Sequence, residues 1–223
     1  MIVGRGIDCL IVAAGRSRRM GFDKIQAKLR GKTVLEWSLR AMAGSGEVGR
    51  IVVVCPPGRE EEISELLQPT GLSFDVVAGG ERRKDSVLAG LQKLGTCGES
   101  LVAVHDAARP FVRPESVMRC IAEARRVGAA VLAVRVADTL HRADKDGILR
   151  DTVSREDVWQ AQTPQVARYD WLMQAVAVCD GTDEAGMLGQ MGFPVALVEN
   201  PHPNPKLTYP SDFILAEALA SLL

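Results

Sequence analysis

The segment from Ala13 to Lys24 combines small residues with a cluster of arginines, directly after an apolar run. Its first residues, Ala13-Ala14-Gly15, leave the backbone open, so that main-chain amides could approach a phosphate group. The arginines that follow, Arg19 among them, offer planar cationic groups that match phosphate oxygens. Lys24 could reach the same phosphates. The segment therefore predicts a loop that holds a nucleoside triphosphate.

Two familiar phosphate-binding motifs do not fit this loop. A dinucleotide fingerprint requires glycine at the two positions where the loop has Ser17 and Met20. A Walker A motif requires glycine five residues before Gly31-Lys32-Thr33, and Gln26 stands there. A solvent-exposed run of charge would also explain the arginines. Their position directly behind a predicted buried strand favours the binding loop.

A second polar loop, from Gly79 to Val87, follows another apolar run. The adjacent glycines Gly79 and Gly80 permit close backbone approach and unusual φ values. Ser86 could place a hydroxyl in the same site. Taken alone, a role at the start of a helix would explain Ser86 better.

A third polar loop, His105 to Pro110, follows the apolar run Leu101–Val104. An aspartate at the carboxyl end of a strand, next to a triphosphate, suits Mg²⁺, which binds one or two carboxylates together with phosphate oxygens. Asp106 is therefore the candidate metal ligand. A structural ion pair between Asp106 and Arg109 would explain these two residues equally well in isolation.

The elements that must position these loops alternate between strands and helices. The apolar runs predict strands at Cys9–Ala13, Ile51–Cys55, Phe74–Val77, Leu101–His105, Ala129–Val134 and Val195–Val198. The intervening patterns predict helices near Val34–Met42, Glu60–Leu67, Lys84–Leu94, Glu115–Val127, Tyr169–Val178, Thr182–Met191 and Ser211–Leu222. Continuous apolar strands alternating with helices are typical of a doubly wound, mainly parallel α/β sheet. Ligands bind at the carboxyl ends of the strands in such sheets, where all three loops fall.

One polar stretch, residues 137–158, interrupts this alternation. Its segment Asp144-Lys145-Asp146-Gly147 carries the Asp-Gly signal of a tight hairpin turn, between Thr139–Arg142 and Ile148–Val153. The stretch lacks the Pro/Ser-rich composition of a linker. It predicts a β-arm that leaves the main sheet.

Composition limits the class of protein. The 223 residues, 47% hydrophobic and 25% charged, predict one globular domain over residues 1–223. No apolar run is long enough to span a membrane, and the N-terminus does not have the build of a secretory signal, so a cytoplasmic location is expected. The net charge of −1 disfavours a nucleic-acid partner. The five cysteines have no metal-ligand spacing and are expected to be buried thiols.

Taken together, the loops resemble the 2-C-methyl-D-erythritol 4-phosphate cytidylyltransferases of the non-mevalonate isoprenoid pathway. The likeness runs in order along essentially the whole chain. Its motifs are Ala13-Ala14-Gly15, Arg19-Met20, Gly79-Gly80, Arg83, Ser86-Val87, Val104 to Pro110, Asp138-Thr139, Thr152 to Arg155, Gln162 to Gln165, Thr182 to Ala185 and Asn204 to Thr208.

The resemblance implies transfer of CMP from CTP to methylerythritol phosphate, with release of pyrophosphate and with Mg²⁺ as cofactor. It implies that Arg19, Lys24 and Lys206 are catalytic and stabilise the charge on the α-phosphate. The residues that it implies for CTP binding are Ala13, Ala14, Gly15, Gly80, Ser86, Asp106 and Ala107. It also implies a homodimer formed through the arm, with the polyol phosphate held by Thr139, Arg155, Arg109 and Thr163.

Three departures from the family pattern stand out. The family usually has Pro-Lys-Gln where this chain has Asp23-Lys24-Ile25, and a proline often precedes the two alanines, where this chain has Val12. Pro201-His202-Pro203 occupies a region where an acidic or polar residue is common. We therefore expect Asp106 alone to bind the metal and His202 to be exposed.

Other functions stay open at this point. They are a cytidylyltransferase for another polyol phosphate such as ribitol 5-phosphate, a sugar-phosphate nucleotidylyltransferase for another base, and a non-catalytic nucleotide-binding regulatory module. Cations on both sides of the α-phosphate argue against the regulatory module, because simple binding does not require them. A fused bifunctional enzyme is not expected from a sequence of 223 residues.

Overall fold

The computed structural model describes residues 6–15 and 20–222. The strands are β1 (Ile7–Val12), β2 (Lys28–Leu29), β3 (Lys32–Thr33), β4 (Val48–Cys55), β5 (Asp75–Ala78), β6 (Leu101–Asp106), β7 (Ala129–Arg135), β8 (Leu140–Ala143), β9 (Leu149–Val153), β10 (Trp159–Arg168) and β11 (Ala196–Glu199). The helices are α1 (Val34–Ala43), α2 (Glu60–Leu67), α3 (Arg83–Leu94), α4 (Pro114–Val127), α5 (Tyr169–Val178), α6 (Glu184–Gln190) and α7 (Asp212–Ala220), and a short 3-10 helix spans Gln68–Thr70.

A seven-stranded sheet in the order β11-β7-β10-β6-β1-β4-β5 forms the centre of the molecule. Strand β10 is antiparallel to its neighbours β6 and β7, while the other neighbouring strands run parallel. The predicted α/β fold with a mainly parallel, doubly wound sheet is confirmed. All six predicted strands and all seven predicted helices are present, with ends that differ by at most a few residues.

Strand β10 was not predicted. Pro164 and several glutamines interrupt the apolar pattern of this segment, and proline is unusual inside a central strand. The peptide bond between Thr163 and Pro164 is cis, and the pairing of β10 with β7 shifts in register between Ala161 and Gln165. The proline thus occupies an irregular part of the strand, where the ladder does not require its missing N–H.

Two hydrophobic layers cover the two faces of the sheet. On one face, Leu35 and Leu39 of α1, Ile63 of α2 and Ile121 of α4 pack against the strands. On the other face, α3, α5 and α6 pack through the residues Val87, Leu91, Leu172, Val176, Met187 and Leu188. Burial of this apolar surface holds the strands in place and so fixes the positions of the loops at their ends.

A smaller third hydrophobic cluster joins β2, α1 and α7 to the segment around Leu207. Leu29 of β2, Val34 of α1 and Leu207 are fully buried together with Ala216 of α7. Leu207 directly follows Lys206, so this cluster anchors the segment that carries that lysine.

The predicted arm is present as a separate two-stranded sheet of β8 and β9. Its turn is closed by Asp144, whose carboxylate accepts hydrogen bonds from the amides of Asp146 (2.9 Å) and Ile148 (3.0 Å). Gly147 has a φ of +82°, a left-handed conformation that favours glycine. The Asp-Gly signal in the sequence therefore predicted this hairpin for the right physical reason.

The cysteines follow the expectation with one exception. Cys9, Cys55, Cys120 and Cys179 are buried, whereas Cys97 is exposed. Burial raises the pKa of the Cys55 thiol to about 11 and that of the Cys120 thiol to about 12, so both stay protonated. Within residues 6–15 and 20–222, no helix has the length and apolar character needed to cross a membrane.

Candidate active site

A cavity of about 630 Å³ opens at the carboxyl ends of β1, β5 and β6. The described residues that line it are Val12, Ala13, Ala14, Gly15, Met20, Lys24, Ile25, Gly80, Glu81, Arg82, Arg83, Ser86, Asp106, Ala107, Ala108, Lys206 and Thr208. The structure thus brings together side chains and main chain from all three predicted loops and from the segment around Lys206. Glu81, Arg82 and Thr208 also line the cavity, although the sequence predicts no role for them.

The first loop leaves β1 close to β4 and β6. Ala13 donates its amide to the carbonyl of Val54 (2.7 Å), and Ala107 donates to the carbonyl of Val12 (3.1 Å). Among the described residues, no atom lies within 4 Å of the position that a Cβ of Gly15 would take. Main chain at this edge of the sheet is therefore accessible from the cavity. The predicted catalytic Arg19 lies outside the described residues.

Lys24 lies at the edge of the cavity and is half-buried. Its Nζ donates a hydrogen bond to the carbonyl of Leu207 (2.9 Å). The preceding Asp23 forms an ion pair with Arg59, the residue before α2 (2.7 Å), and its other carboxylate oxygen accepts from the amide of Ile25 (3.2 Å). Asp23 therefore ties the lysine's loop to the start of α2.

The second loop depends on its glycines for its shape. A Cβ on Gly79 would stand 2.7 Å from the hydroxyl of Ser86 and 2.8 Å from the Cβ of Ala14, closer than real side chains pack. Ser86 accepts the amide of Gly80 (3.1 Å) and lies within hydrogen-bond distance of the carbonyl of Arg82 (3.2 Å). Ser86 thus closes the loop at the start of α3 and also lines the cavity, so both interpretations of this residue fit its position.

Asp106 is the centre of a group of cations. Its Oδ2 is 2.7 Å from Lys206 Nζ and 3.9 Å from Arg109 Nε, and its Oδ1 forms an ion pair with Arg83. Burial by itself would raise the pKa of Asp106, but the charges of Arg83 and Lys206 outweigh it and hold the pKa well below the usual range. Asp106 is therefore ionised at any physiological pH.

Arg83 and Glu184 belong to the same charge cluster. Arg83 Nε and Nη2 donate to the two carboxylate oxygens of Glu184, at 3.1 and 2.9 Å. The side chain of Glu184 is fully buried, at 0% exposure. Burial disfavours the charged form of Arg83, but Glu184 and Asp106 raise its pKa above the usual value. Both residues lie in motifs shared with the family, yet a glutamate at a helix start is common enough that its sequence position gave no signal of this contact.

His105 and Thr163 support Asp106 from behind. Thr163 Oγ1 accepts the amide of Asp106 (3.1 Å) and lies 3.1 Å from His105 Nδ1, while His105 Nε2 lies 3.0 Å from the carbonyl of Arg109. Burial lowers the pKa of His105 to about 4. Thr163, predicted to contact the polyol substrate, is 3% exposed with its hydroxyl occupied by these contacts.

Arg109 points to the segment before Lys206. Its Nη1 donates to the carbonyl of Asn204 (2.7 Å), and its buried Nε has no hydrogen-bond partner among the described residues. Asn204 in turn donates to Gln162 Oε1 (3.2 Å) and to the carbonyl of Thr163 (2.9 Å). The side chains of β10 thereby hold the loop that carries Lys206.

The two arm residues predicted to bind substrate lie elsewhere. Thr139 and Arg155 are exposed, and neither belongs to the described lining of the cavity. Arg155 Nη1 donates to the carbonyl of Ala137, within the arm itself. Their predicted role concerns the site of a neighbouring subunit and stays a prediction.

The donor set at the cavity fits a hard cation that also binds phosphate. Among the described residues, no group of three or more His, Cys, Asp or Glu side chains is arranged to hold a metal. Asp106 lines the cavity with one ionised carboxylate, and Lys206, which pairs with its Oδ2, is 44% exposed. One carboxylate together with phosphate oxygens and water matches the preference of Mg²⁺. His202 is exposed, as predicted.

A cavity at the carboxyl ends of parallel strands, lined by cations and by the Asp106 carboxylate, is typical of nucleotide-binding α/β transferases. The comparisons are more specific. The chain belongs to the 2-C-methyl-D-erythritol 4-phosphate cytidylyltransferase (IspD) family, whose sequence model matches residues 7–221. This finding confirms the resemblance drawn from the motifs.

Individual relatives agree with this assignment. The chain is 38% identical over 223 residues to the 2-C-methyl-D-erythritol 4-phosphate cytidylyltransferase of Pelotomaculum thermopropionicum, covering 96% of this chain and 93% of the relative. It is 41% identical over 214 residues to the bifunctional enzyme IspD/IspF of Desulfotalea psychrophila, covering 93% of this chain and 55% of that relative's length. The crystal structure of the cytidylyltransferase from Thermus thermophilus superposes with a TM-score of 0.80 at 36% identity, covering 97% of this chain and 99% of that one.

Proposed function

We infer that the protein transfers the cytidylyl group of CTP to 2-C-methyl-D-erythritol 4-phosphate and releases pyrophosphate. The observation that carries this conclusion is the match to the family over residues 7–221. It is supported by one cavity that all three predicted loops and the segment around Lys206 line. In this reaction an oxygen of the acceptor phosphate attacks the α-phosphorus of CTP. A new P–O bond forms as the bond to the bridging oxygen of the β-phosphate breaks, and its electron pair leaves with pyrophosphate.

The two lysines are proposed to stabilise the transition state from opposite sides. Lys24 enters from the first loop and Lys206 from the segment beyond β11, and both line the cavity. Negative charge accumulates on the α-phosphate oxygens during the attack, so fixed cations there lower the barrier. Arg19 is proposed to act with Lys24 on the triphosphate.

Recognition of the nucleotide is proposed to use mainly the backbone. The main chain at Ala13, Ala14, Gly15 and Gly80 lines the cavity and would supply contacts to the edge of cytosine, with the hydroxyl of Ser86 beside it. The amides of Ala13 and Gly80 are already donated to Val54 and Ser86, so at these two positions the carbonyls would make the contact. Asp106 and Ala107 would contact CTP at the end of β6. A bound Mg²⁺ would neutralise charge on the phosphates, with Asp106 as its protein ligand.

Binding of the acceptor is proposed to involve two subunits. Arg109 would hold the polyol phosphate from one subunit, with Thr163 supporting this wall from behind Asp106. Thr139 and Arg155 would hold it from the arm of the other subunit. The arm exposes Ile148 (65%) and Leu149 (59%), which supports burial against a second copy of the chain. Light scattering on the full chain is expected to give a dimer; a monomer with full activity would contradict the proposal. A cytoplasmic location stays part of the proposal.

The reaction is tested by measuring pyrophosphate release from CTP with Mg²⁺ and each of two acceptors. Methylerythritol phosphate is expected to support turnover, and ribitol 5-phosphate is expected to support far less. ATP, GTP and UTP in place of CTP serve as controls for the base. Higher activity with ribitol 5-phosphate would reassign the acceptor. Binding of CTP without turnover on either acceptor would favour a regulatory module.

A further inference from the structure

The buried ion pair between Arg83 and Glu184 has no part in the reaction scheme given above. Its carboxylate belongs to Glu184, at the start of α6, and its guanidinium reaches from α3 to Asp106 at the end of β6. Helices α3 and α6 and strand β6, which are distant in sequence, therefore meet at Asp106. Because burying a charge costs free energy unless the charge is paired, we asked what the buried Glu184 carboxylate contributes.

We propose that Glu184 is a positioning residue for Asp106: it binds the Nε and Nη2 groups of Arg83 and leaves Nη1 to fix the Asp106 carboxylate in the cavity wall. The proposal rests on the proposed cytidylyl transfer, in which Asp106 faces the phosphates. Arg83 has a planar fork of donors, and one edge of the fork lies on Glu184 at 3.1 and 2.9 Å. The remaining Nη1 binds Oδ1 of Asp106.

Glu184 is itself held firmly. The preceding Asp183 caps α6 by accepting the amide of Gly186 (3.0 Å). Gln165 of β10 donates to Asp183 Oδ2 (2.9 Å) and accepts the amide of Ala185 (2.7 Å). Because Gln165 pairs with Val104 of β6, the start of α6 is attached to the strand that ends in Asp106. Glu184 can therefore set the position of Arg83 relative to Asp106.

The charges explain why a carboxylate is required there. Asp106 faces three cations, Arg83, Lys206 and Arg109. Without Glu184, Arg83 would have Asp106 as its acidic partner, and its fork could turn to bind both oxygens of that carboxylate. Arg83 would then displace Lys206 from Oδ2 of Asp106. Glu184 keeps the second oxygen of Asp106 directed to Lys206 and to the cavity.

The test is a double-mutant cycle between Glu184→Gln and Asp106→Asn in the full chain. Affinity for Mg²⁺-CTP is measured by titration calorimetry, and kcat and KM by pyrophosphate release with methylerythritol phosphate. Loss of a group that orients a ligand-binding side chain typically costs about 10–100-fold. Glu184→Gln alone is expected to lower kcat/KM for CTP by about tenfold or more. In the Asp106→Asn background the same change is expected to cost less than about twofold, since coupled sites are not additive.

A second cycle covers the case in which a variant folds poorly. Arg83→Lys keeps the charge but has a single nitrogen, so it cannot bind Glu184 through two nitrogens and Asp106 through a third. It is expected to reproduce the loss seen with Glu184→Gln and to add little to it. Circular dichroism and thermal unfolding establish that each variant is folded. Glu47→Gln serves as the matched control, because it removes an exposed ion pair with Arg125 (2.7 Å) away from the cavity.

Two outcomes would overturn the proposal. One is wild-type kinetics for folded Glu184→Gln. The other is an equal loss in both backgrounds of each cycle, which would assign Glu184 a role in folding alone. Wild-type protein that does not turn over methylerythritol phosphate would instead contradict the proposed function, and the CTP affinities would still test the coupling between Glu184 and Asp106.

Discussion

Asp106 and Lys24 both line the cavity but differ in how the chain holds them. Asp106 is 8% exposed in its side chain and is contacted by Arg83, Lys206 and the hydroxyl of Thr163. Lys24 is tied through a carbonyl of Leu207 and through the neighbouring ion pair of Asp23, 32% exposed, with Arg59, 29% exposed. We call Asp106 with its contacts the Asp106 side of the cavity, and Lys24 with its contacts the Lys24 side.

This difference separates two tasks of a phosphoryl-transfer site. Charges that stabilise a transition state are most effective when they are already in position, and the Asp106 side provides such charges in a setting of low exposure. A bulky triphosphate must also enter and leave, and contacts on the Lys24 side are weaker because solvent screens them. The comparison predicts that equal chemical changes on the two sides have unequal consequences.

The largest expected effect is the loss of either lysine. Lys24→Ala and Lys206→Ala are each expected to lower kcat about 10²–10³-fold, the range found when one donor to a developing charge is removed. Affinity for CTP should fall much less, because the interaction strengthens in the transition state. Kinetics of pyrophosphate release and calorimetry with CTP measure the two quantities. Lys145→Ala, on the exposed turn of the arm, is the control. Reduced affinity with unchanged kcat would assign both lysines to ground-state binding.

Thr163→Val tests the support behind Asp106. Valine has the same shape but leaves the buried amide of Asp106 without its acceptor (3.1 Å). The free energy of unfolding is expected to fall by about 1–3 kcal/mol, the cost of an unsatisfied buried donor. Urea denaturation measures it. Thr139→Val, on the exposed arm, should leave the stability almost unchanged. Equal stabilities of the two variants would show that the Asp106 side is not held through this hydroxyl.

The pH dependence of stability tests His105 in the same support. Its pKa in the folded protein is about 4, below the value of about 6.5 for an unperturbed histidine. The unfolded state therefore binds the proton first, and stability present above pH 6.5 is lost as the pH falls toward 4. Between pH 7 and pH 5 this residue should account for about 2 kcal/mol. Urea unfolding at both values should show a smaller loss for His105→Asn than for the wild type. His202→Asn, which changes an exposed histidine, should keep the wild-type loss.

The smallest expected effect concerns the Lys24 side. Arg59→Met removes the ion pair with Asp23 (2.7 Å) and a second ion pair with Glu62 (2.6 Å). Because all three side chains are partly exposed, stability should change by less than about 1 kcal/mol. Arg125→Met removes a comparable exposed pair with Glu47 and is the matched control. A loss for Arg59→Met as large as that for Thr163→Val would remove the distinction between the two sides.

The sequence predicted the parts of the molecule in which a local pattern decides the structure. The apolar runs of β1 and β6 and the Asp-Gly turn of the arm carry their own signals, and Asp106 was correctly placed at a strand end. Strand β10 was missed because Pro164 and the glutamines around it look like a loop; tertiary pairing with β6 and β7 overrides that pattern. Glu184 was missed because Arg83, its partner, lies 101 residues away in the sequence.

The irregular strand β10 has a consequence for how insertions and deletions are tolerated. It begins directly after the arm, and three of its residues reach in different directions: Gln162 to Asn204, Thr163 to Asp106, and Gln165 to the start of α6. Since neighbouring residues of a strand point to opposite faces, a slip of one position would exchange all of these partners at once. The arm can therefore vary in length at its tip, next to the Asp144 turn. The number of residues between the arm and Pro164, by contrast, must stay constant, because it sets the register of β10 and with it the contacts that β10 makes at the site.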